Sequence, residues 1–304
     1  MTEVPYQTLI DAPTMTFIAA TAAAYPDDTA SRSIAGQRAI CTAMCTGCHS
    51  PCPPGVSAPD HAIAGVGCRD YAGRSPPVIH FHGGGFVAGG LDSHDSICAD
   101  LATATGLRVI SVDYRLSPEH RHPAACDDTL AVTRAVVAEG TVLLAGDSAG
   151  GTLAAAWTHS LRDSPGRVLA QVLICPGLGG PTDSDSCLRH AHAPMLTRDD
   201  VLFYRDVRHD APAPVGDATA APLQDRNFAG LPPTLAISAE RDPLPDDAQL
   251  NVKALTAAGS PARWIEEPGL VHGYLRARHS VPRAAASFAR ICATLTAFAN
   301  GDDP

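Results

Sequence analysis

Short runs of apolar and β-branched residues alternate with longer amphipathic stretches from about residue 75 to the end of the chain. Such alternation is typical of strands in a parallel sheet whose two faces are covered by helices. The pattern predicts strands at 77–82, 108–114, 141–146, 170–175, 234–239 and 262–266. The stretches between them predict helices at 95–105, 123–139, 149–162, 245–258 and 282–300. We therefore expect an α/β protein with a mostly parallel central sheet flanked by helices.

Two segments interrupt this alternation, residues 1–60 and residues 181–228. The second is rich in proline, aspartate and histidine and shows little strand periodicity. A long excursion inside a compact domain is usually functional, and a lid over the site is its simplest interpretation. We predict a small helical cap made of residues 1–60 and 181–228, and a core made of residues 61–180 and 229–304.

The composition is that of a globular protein, because 45% of the 304 residues are hydrophobic and 18% are charged. A net charge of −10 argues against a nucleic-acid partner, which requires clustered lysine and arginine. The apolar run at 15–25 is too short to span a bilayer and has no basic residue before it. We read it as an amphipathic helix, and we expect a cytoplasmic protein that does not associate with membranes.

A GxSxG sequence spans residues 146–150 and lies between the predicted strand 141–146 and a helix rich in small residues. Glycines two positions before and after Ser148 allow the tight strand-to-helix turn that exposes its Oγ, and the new helix directs N–H groups at developing negative charge. The pattern alone also occurs in structural turns. Its strand-turn-helix context favours Ser148 as a nucleophile.

A glycine run at 83–85 ends the predicted strand 77–82. Acyl transfer requires N–H donors close to the oxyanion, and adjacent glycines let the backbone approach without Cβ clashes. A triple glycine alone is usually a flexible loop. Because this run precedes the GxSxG sequence by about sixty residues, we predict an oxyanion hole formed by the N–H groups of Gly84, Gly85 and Ala149.

An acid and a histidine are expected to follow the nucleophile in that order, each just past a strand. Asp242 follows the predicted strand 234–239, and His272 follows the predicted strand 262–266 and precedes the last helix. His272 is therefore singled out by position among 13 histidines. Three other acids, Glu240, Asp246 and Asp247, compete with Asp242 for the orienting role. We predict Ser148 as nucleophile, His272 as general base and Asp242 as orienting acid.

Several stretches together resemble the bacterial hormone-sensitive lipase-like esterases, in the GDSAG branch of the α/β-hydrolase superfamily. They are residues 82–86, 113–120, 123–125, 146–150, 230–234, 242–244 and 272–273, within a resemblance that covers about residues 62–300. The resemblance implies an α/β-hydrolase fold, the same triad and oxyanion donors, a cap, and a small-molecule ester substrate. It favours Asp242 over the competing acids and is consistent with a homodimer. Ser117, Tyr274 and Pro245 depart from the family's usual alanine, phenylalanine and arginine.

The motifs predict a carboxylic ester hydrolase that requires no cofactor and no metal. We expect short acyl esters, about C2 to C6, or aryl esters, because the cap segments are short and show no long apolar lid. An amidase or deacetylase is an alternative, since the same triad attacks amides. A non-catalytic binder is another, because plant gibberellin receptors resemble this family. Those receptors lack the catalytic histidine, whereas His272 is present here.

A cysteine-rich stretch lies at residues 41–52 and contains Cys41, Cys45, Cys48, His49 and Cys52. Its composition resembles a zinc or iron–sulfur site. Zinc sites usually join two separated knuckles, however, and this cluster lies in one short stretch. A disulfide within the stretch is a further alternative, but a chain of this size without a signal peptide favours reduced thiols. We predict free thiols and no bound metal.

Overall fold

An eight-stranded sheet forms the centre of the protein, with the strand order β1-β2-β4-β3-β5-β6-β7-β8. The computed structural model describes residues 4–50, 53, 56–162, 168–183, 185–210 and 214–302. The strands are β1 (Asp60–Ile63), β2 (Val66–Tyr71), β3 (Arg74–Phe81), β4 (Leu107–Val112), β5 (Val142–Asp147), β6 (Val168–Ile174), β7 (Thr234–Arg241) and β8 (Ala262–Val271). Strands β3 to β8 are parallel, which confirms the predicted mostly parallel sheet.

The hairpin β1–β2 was not expected from the sequence. Its strands pair antiparallel, and β2 pairs antiparallel with β4 at one edge of the sheet. Ala64 and Gly65 connect the two strands with φ of +51° and +84°, the left-handed pair that tight hairpins favour. Strand β1 is short and largely exposed, so it lacks the apolar run that identified the other strands. In the sequence, only the Ala-Gly pair at 64–65 indicated a hairpin turn.

Helices cover both faces of the sheet, as predicted. In chain order the helices are α1 (Tyr6–Leu9), α2 (Ala12–Ala23), α3 (Ile34–Gly47), α4 (Leu91–Thr105), α5 (Ala124–Glu139), α6 (Ala149–Ser160), α7 (Asp185–Arg189), α8 (Arg198–Arg208), α9 (Pro245–Ala257) and α10 (Pro282–Asn300). Alternate residues of one strand join different layers: Val78 packs with α4 and α10, whereas Ile79 packs with α5 and α6. This two-sided burial explains why the strands are continuous apolar runs.

The two segments that interrupt the alternation contain helices α1 to α3 and helices α7 and α8. Polar side chains fix where these helices begin: Asp11 accepts a hydrogen bond from Thr14 N at 3.0 Å, and Thr197 and Asp200 form a reciprocal capping box. The segments also meet, because the Tyr6 hydroxyl and His190 Nδ1 share a hydrogen bond of 3.0 Å. None of the helices in the described ranges is long and apolar enough to cross a membrane.

Candidate active site

Ser148 lies at the tight turn between β5 and α6. Its φ of +53° is unfavourable for a residue with a side chain and is tolerated where the surroundings enforce it. A Cβ at Gly146 would lie 2.4 Å from the carbonyl carbon of Gly150, and a Cβ at Gly150 would lie 1.9 Å from Phe81 O. Both glycines are therefore required for the turn to form, and the turn places Ser148 at the beginning of α6.

Asp242, His272 and Ser148 form a continuous hydrogen-bonded chain. His272 Nδ1 donates to Asp242 Oδ2 at 2.7 Å, and the Ser148 hydroxyl is 3.0 Å from His272 Nε2. Strands β7 and β8 run to Arg241 and Val271, so the acid and the histidine each directly follow a strand. Strand β8 is longer than predicted, because its register with β7 continues past the bulge.

The carboxylate of Asp242 is fully buried and also accepts a hydrogen bond from Leu244 N at 3.0 Å. Burial by itself lowers the pKa of His272, but attraction to Asp242 and their hydrogen bond outweigh it. The net result is a raised pKa for the imidazole, because the buried carboxylate stabilises the protonated ring.

The competing acids have other partners. Glu240 accepts a hydrogen bond from Gly269 N at 2.7 Å, and Asp246 accepts one from Ser186 N at 2.9 Å. Asp247 accepts from Leu178 N at 2.6 Å. These acids hold loops in place, whereas Asp242 contacts His272.

The glycine run lies beside the turn at Ser148, and Gly84 and Gly85 both have positive φ, +127° and +62°. A Cβ at Gly84 would lie 2.1 Å from Ala88 O, and one at Gly85 would lie 2.4 Å from the Tyr204 ring. Only glycine fits either position. Gly85, Ser148 and Ala149 line one cavity, so this arrangement can present backbone N–H groups to a group bound at Ser148.

Asp147 is a site residue that the sequence analysis did not identify. Its Oδ1 accepts a hydrogen bond from Gly83 N at 3.1 Å, and its Oδ2 accepts from His94 Nε2 at 3.2 Å. Although burial opposes its charge, attraction to His94 and to His80 holds the pKa of this carboxyl well below its usual range. Asp147 thereby joins the turn at Ser148 to the glycine run. The sequence offered one hint of a buried charged group here, namely the polar residue His80 within an otherwise apolar strand.

A cavity of about 210 Å³ opens at Ser148. Its wall combines residues of the core with residues of the segment that contains α7 and α8. The lining includes Ser148, Gly85, Thr152, Leu244, Leu196, Tyr204 and Arg208. Arg208 is buried, and its guanidinium carbon lies 3.8 Å from the centroid of the Phe86 ring. The cavity is therefore closed on one side by helix α8.

One group of potential metal ligands occurs in the part of the chain that the structure describes, namely Cys175, Asp242 and His272, whose ligand atoms lie within 4.8 Å of one another. Burial raises the pKa of Cys175, so its sulfur is a protonated thiol and a poor ligand. Cys41, Cys45 and Cys48 are free thiols, whereas Cys52 lies outside the described residues. The stretch 41–52 therefore shows no disulfide among its described cysteines.

Comparison with known proteins agrees with this fold. A family model described as alpha/beta hydrolase fold matches residues 78–276. Esterase LipI of Mycobacterium tuberculosis is 39% identical over 233 residues, which cover 71% of this chain and 71% of that protein. An acetyl esterase of Salmonella enteritidis is 37% identical over 213 residues, which cover 65% of each chain. The solved Pyrobaculum calidifontis esterase has a TM-score of 0.80 and 30% identity, and the match covers 88% of this chain and 94% of that one.

The fold and the family match first define a class, the enzymes of the α/β-hydrolase fold. Sequence identity above one third with proteins named as esterases narrows the class. The chain belongs to the bacterial hormone-sensitive lipase-like esterase family, and the resemblance inferred from its motifs is confirmed.

Proposed function

We propose that this carboxylesterase hydrolyses short acyl esters, about C2 to C6, or aryl esters, through a Ser-His-Asp triad and a covalent acyl-enzyme. The observation that carries the proposal is the hydrogen-bonded chain from Asp242 through His272 to Ser148, with distances of 2.7 Å and 3.0 Å. Both distances support the proposal, because they lie within the range of a hydrogen bond. The serine proton has an acceptor, and that acceptor is oriented by a buried carboxylate.

The proposed reaction begins when Ser148 Oγ attacks the ester carbonyl carbon and His272 Nε2 takes the serine proton. The N–H groups of Gly84, Gly85 and Ala149 donate hydrogen bonds to the oxyanion of the tetrahedral intermediate. His272 then protonates the leaving alkoxide, and the acyl group remains on Ser148. Water repeats the sequence on the acyl-enzyme and releases the acid. Asp242 stays ionised throughout and stabilises the imidazolium.

The proposed preference for short chains rests on the size of the cavity. A volume of about 210 Å³ accommodates a small ester and leaves little room for a long acyl chain. The rings of Tyr204 and Phe86 both line this space, and Tyr204 packs directly against the glycine run. A relative that is named an acetyl esterase supports the same chain length.

A panel of aryl esters tests this proposal. We expect kcat/KM to be highest for acyl chains of about two to six carbons and to fall for longer chains, because the cavity excludes them. Organophosphate labelling of Ser148, with the Ser148→Ala variant as the unlabelled control, tests the nucleophile. Faster turnover of emulsified triolein than of a water-soluble butyrate ester would contradict the chain-length assignment. A matched amide that reacts as fast as its ester would instead indicate an amidase.

The organisation of the molecule forms part of the same proposal. Residues 1–60 and 181–228 act as the cap, which is supported by the contribution of α8 residues to the cavity wall. The free thiols of the described cysteines support a reducing compartment such as the cytoplasm. Assembly as a homodimer stays a prediction from the family resemblance. Cell fractionation and light scattering of the purified protein test these two points.

A further inference from the structure

Cys41 and Cys45 lie one turn apart on α3, so their side chains share one face of the helix. Cys45 is fully buried, whereas Cys41 is partly exposed. Cys48 follows on the next turn and is also partly exposed. The shared face therefore holds one fully buried cysteine beside one that is partly exposed.

Arg276 packs against this pair from the core of the protein. It lies in the short 3₁₀ turn Tyr274–Ala277, and its Nε donates a hydrogen bond to Cys45 Sγ at 3.1 Å. Although burial opposes its charge, attraction to Cys45, Asp147 and Cys41 raises the pKa of Arg276, so the guanidinium stays charged. A fixed positive charge next to two sulfurs stabilises a thiolate and disfavours a bound metal cation.

Interaction between the two sulfurs favours a single negative charge on the pair. The Cys45 thiol donates to Cys41, and together with the charge of Arg276 this lowers the pKa of Cys41 to about 6. A hydrogen bond with the Tyr25 hydroxyl and attraction to His94 act in the same direction. The hydrogen bond between Cys41 and Cys45 raises the pKa of Cys45 and, with burial, outweighs the opposing effect of Arg276.

Other cysteines of the protein provide a contrast. Burial raises the pKa of Cys68, Cys98 and Cys292 to about 12 in each case. These thiols are enclosed by apolar side chains of the two core layers. They are therefore protonated and unreactive near neutral pH.

We propose that Cys41 is a thiol-modification site that exchanges with low-molecular-weight disulfides. Its sulfur attacks one sulfur of the reagent, a Cys41–S bond forms, and the original S–S bond breaks. The second half of the reagent leaves as a thiolate and takes a proton from water. The disulfide is the only oxidant needed, and Cys45 keeps its proton and its contact with Arg276.

The test treats the intact enzyme with a limiting amount of a chromogenic dipyridyl disulfide and locates the label by peptide mass spectrometry. We expect the first label on Cys41. Iodoacetamide then gives the pH profile of the reaction, and its midpoint should lie near pH 6 rather than at about 8.5, the value of an ordinary thiol. Cys41→Ser should remove this early, fast labelling. The variant should keep esterase activity, which shows that the fold is intact.

Two further variants test whether the reactivity of Cys41 depends on its neighbour Cys45. Cys48→Ser, at the residue that follows α3, should react like the wild type. Cys45→Ala removes the donor to Cys41, so its midpoint should rise and its rate at pH 6 should fall by at least about tenfold. First labelling of any other cysteine, Cys52 included, would overturn the proposal. So would a wild-type midpoint near that of an ordinary thiol, a result that does not depend on whether the variants fold.

Discussion

His272 and His94 each share a hydrogen bond with a buried aspartate, Asp242 and Asp147 respectively, but their second ring nitrogens have different partners. His272 Nε2 is 3.0 Å from Ser148 Oγ, and the side chain is 12% exposed. His94 Nδ1 is 2.8 Å from Ser93 Oγ, and the residue is fully buried. The first pair ends at a nucleophile beside a cavity. The second pair is enclosed by the protein.

The comparison shows that a histidine–aspartate pair is not by itself a catalytic unit. In the first pair, under the proposed function, the aspartate would orient a base that exchanges a proton with substrate. In the second the aspartate also accepts a hydrogen bond from Gly83 N at 3.1 Å, so the pair fixes the start of the glycine run. We therefore expect the same two types of side chain to serve proton transfer at His272–Asp242 and positioning of backbone donors at His94–Asp147. Four predictions test this division.

The largest effect is expected at the pair that reaches Ser148. We predict that Ser148→Ala and His272→Ala each lower kcat by at least about 10³-fold, because both groups take part in bond making. Asp242→Ala should cost less than either. Steady-state kinetics on a butyrate ester measure the change, and circular dichroism confirms the fold. Activity near that of the wild type in either of the first two variants would refute the assignment.

A smaller effect is expected at the enclosed pair. Asp147→Asn keeps the shape of the side chain but replaces one acceptor oxygen with a donor, so Gly83 N or His94 loses its partner. We predict that kcat falls about 10- to 100-fold because the N–H donors of the glycine run are displaced. His279→Gln, at the exposed His279–Asp100 contact, is a matched surface control. Unchanged kcat in the Asp147 variant would remove the positioning role.

The sequence identified the His272–Asp242 pair but not the His94–Asp147 pair, and the reason is physical. Ser148, Asp242 and His272 are marked by local context, because each follows a strand and lies within two residues of a glycine or proline. The contact between His94 and Asp147 joins positions 53 residues apart, and that between Arg276 and Cys45 joins positions 231 residues apart. Neither leaves a local pattern. Only the folded chain shows that Cys41 and Cys45 face a guanidinium.

The acid limb of the pH profile provides a sharper test of the first pair. Only neutral His272 accepts the serine proton, and its pKa is raised above the ordinary imidazole value of 6.5. Activity should therefore be lost as pH falls, with a midpoint in kcat/KM above that value. Asp242→Asn removes the stabilising charge and should move the midpoint to lower pH. A profile that is flat from about pH 5 to 9 would contradict the role of His272 as base.

The smallest effect, no change at all, is expected when metal is removed. The potential ligand group Cys175, Asp242 and His272 includes the histidine–aspartate pair beside Ser148, so a metal there would compete with the hydrogen bond of 2.7 Å between Asp242 and His272. The second group of sulfurs, at Cys41 and Cys45, faces a guanidinium that repels cations. We predict that EDTA leaves ester hydrolysis unchanged and that elemental analysis finds less than one equivalent of zinc or iron per chain. One equivalent of metal per chain, with activity or thermal stability lost on its removal, would mean that one of these groups binds metal. The cysteine of that group would then be a thiolate ligand.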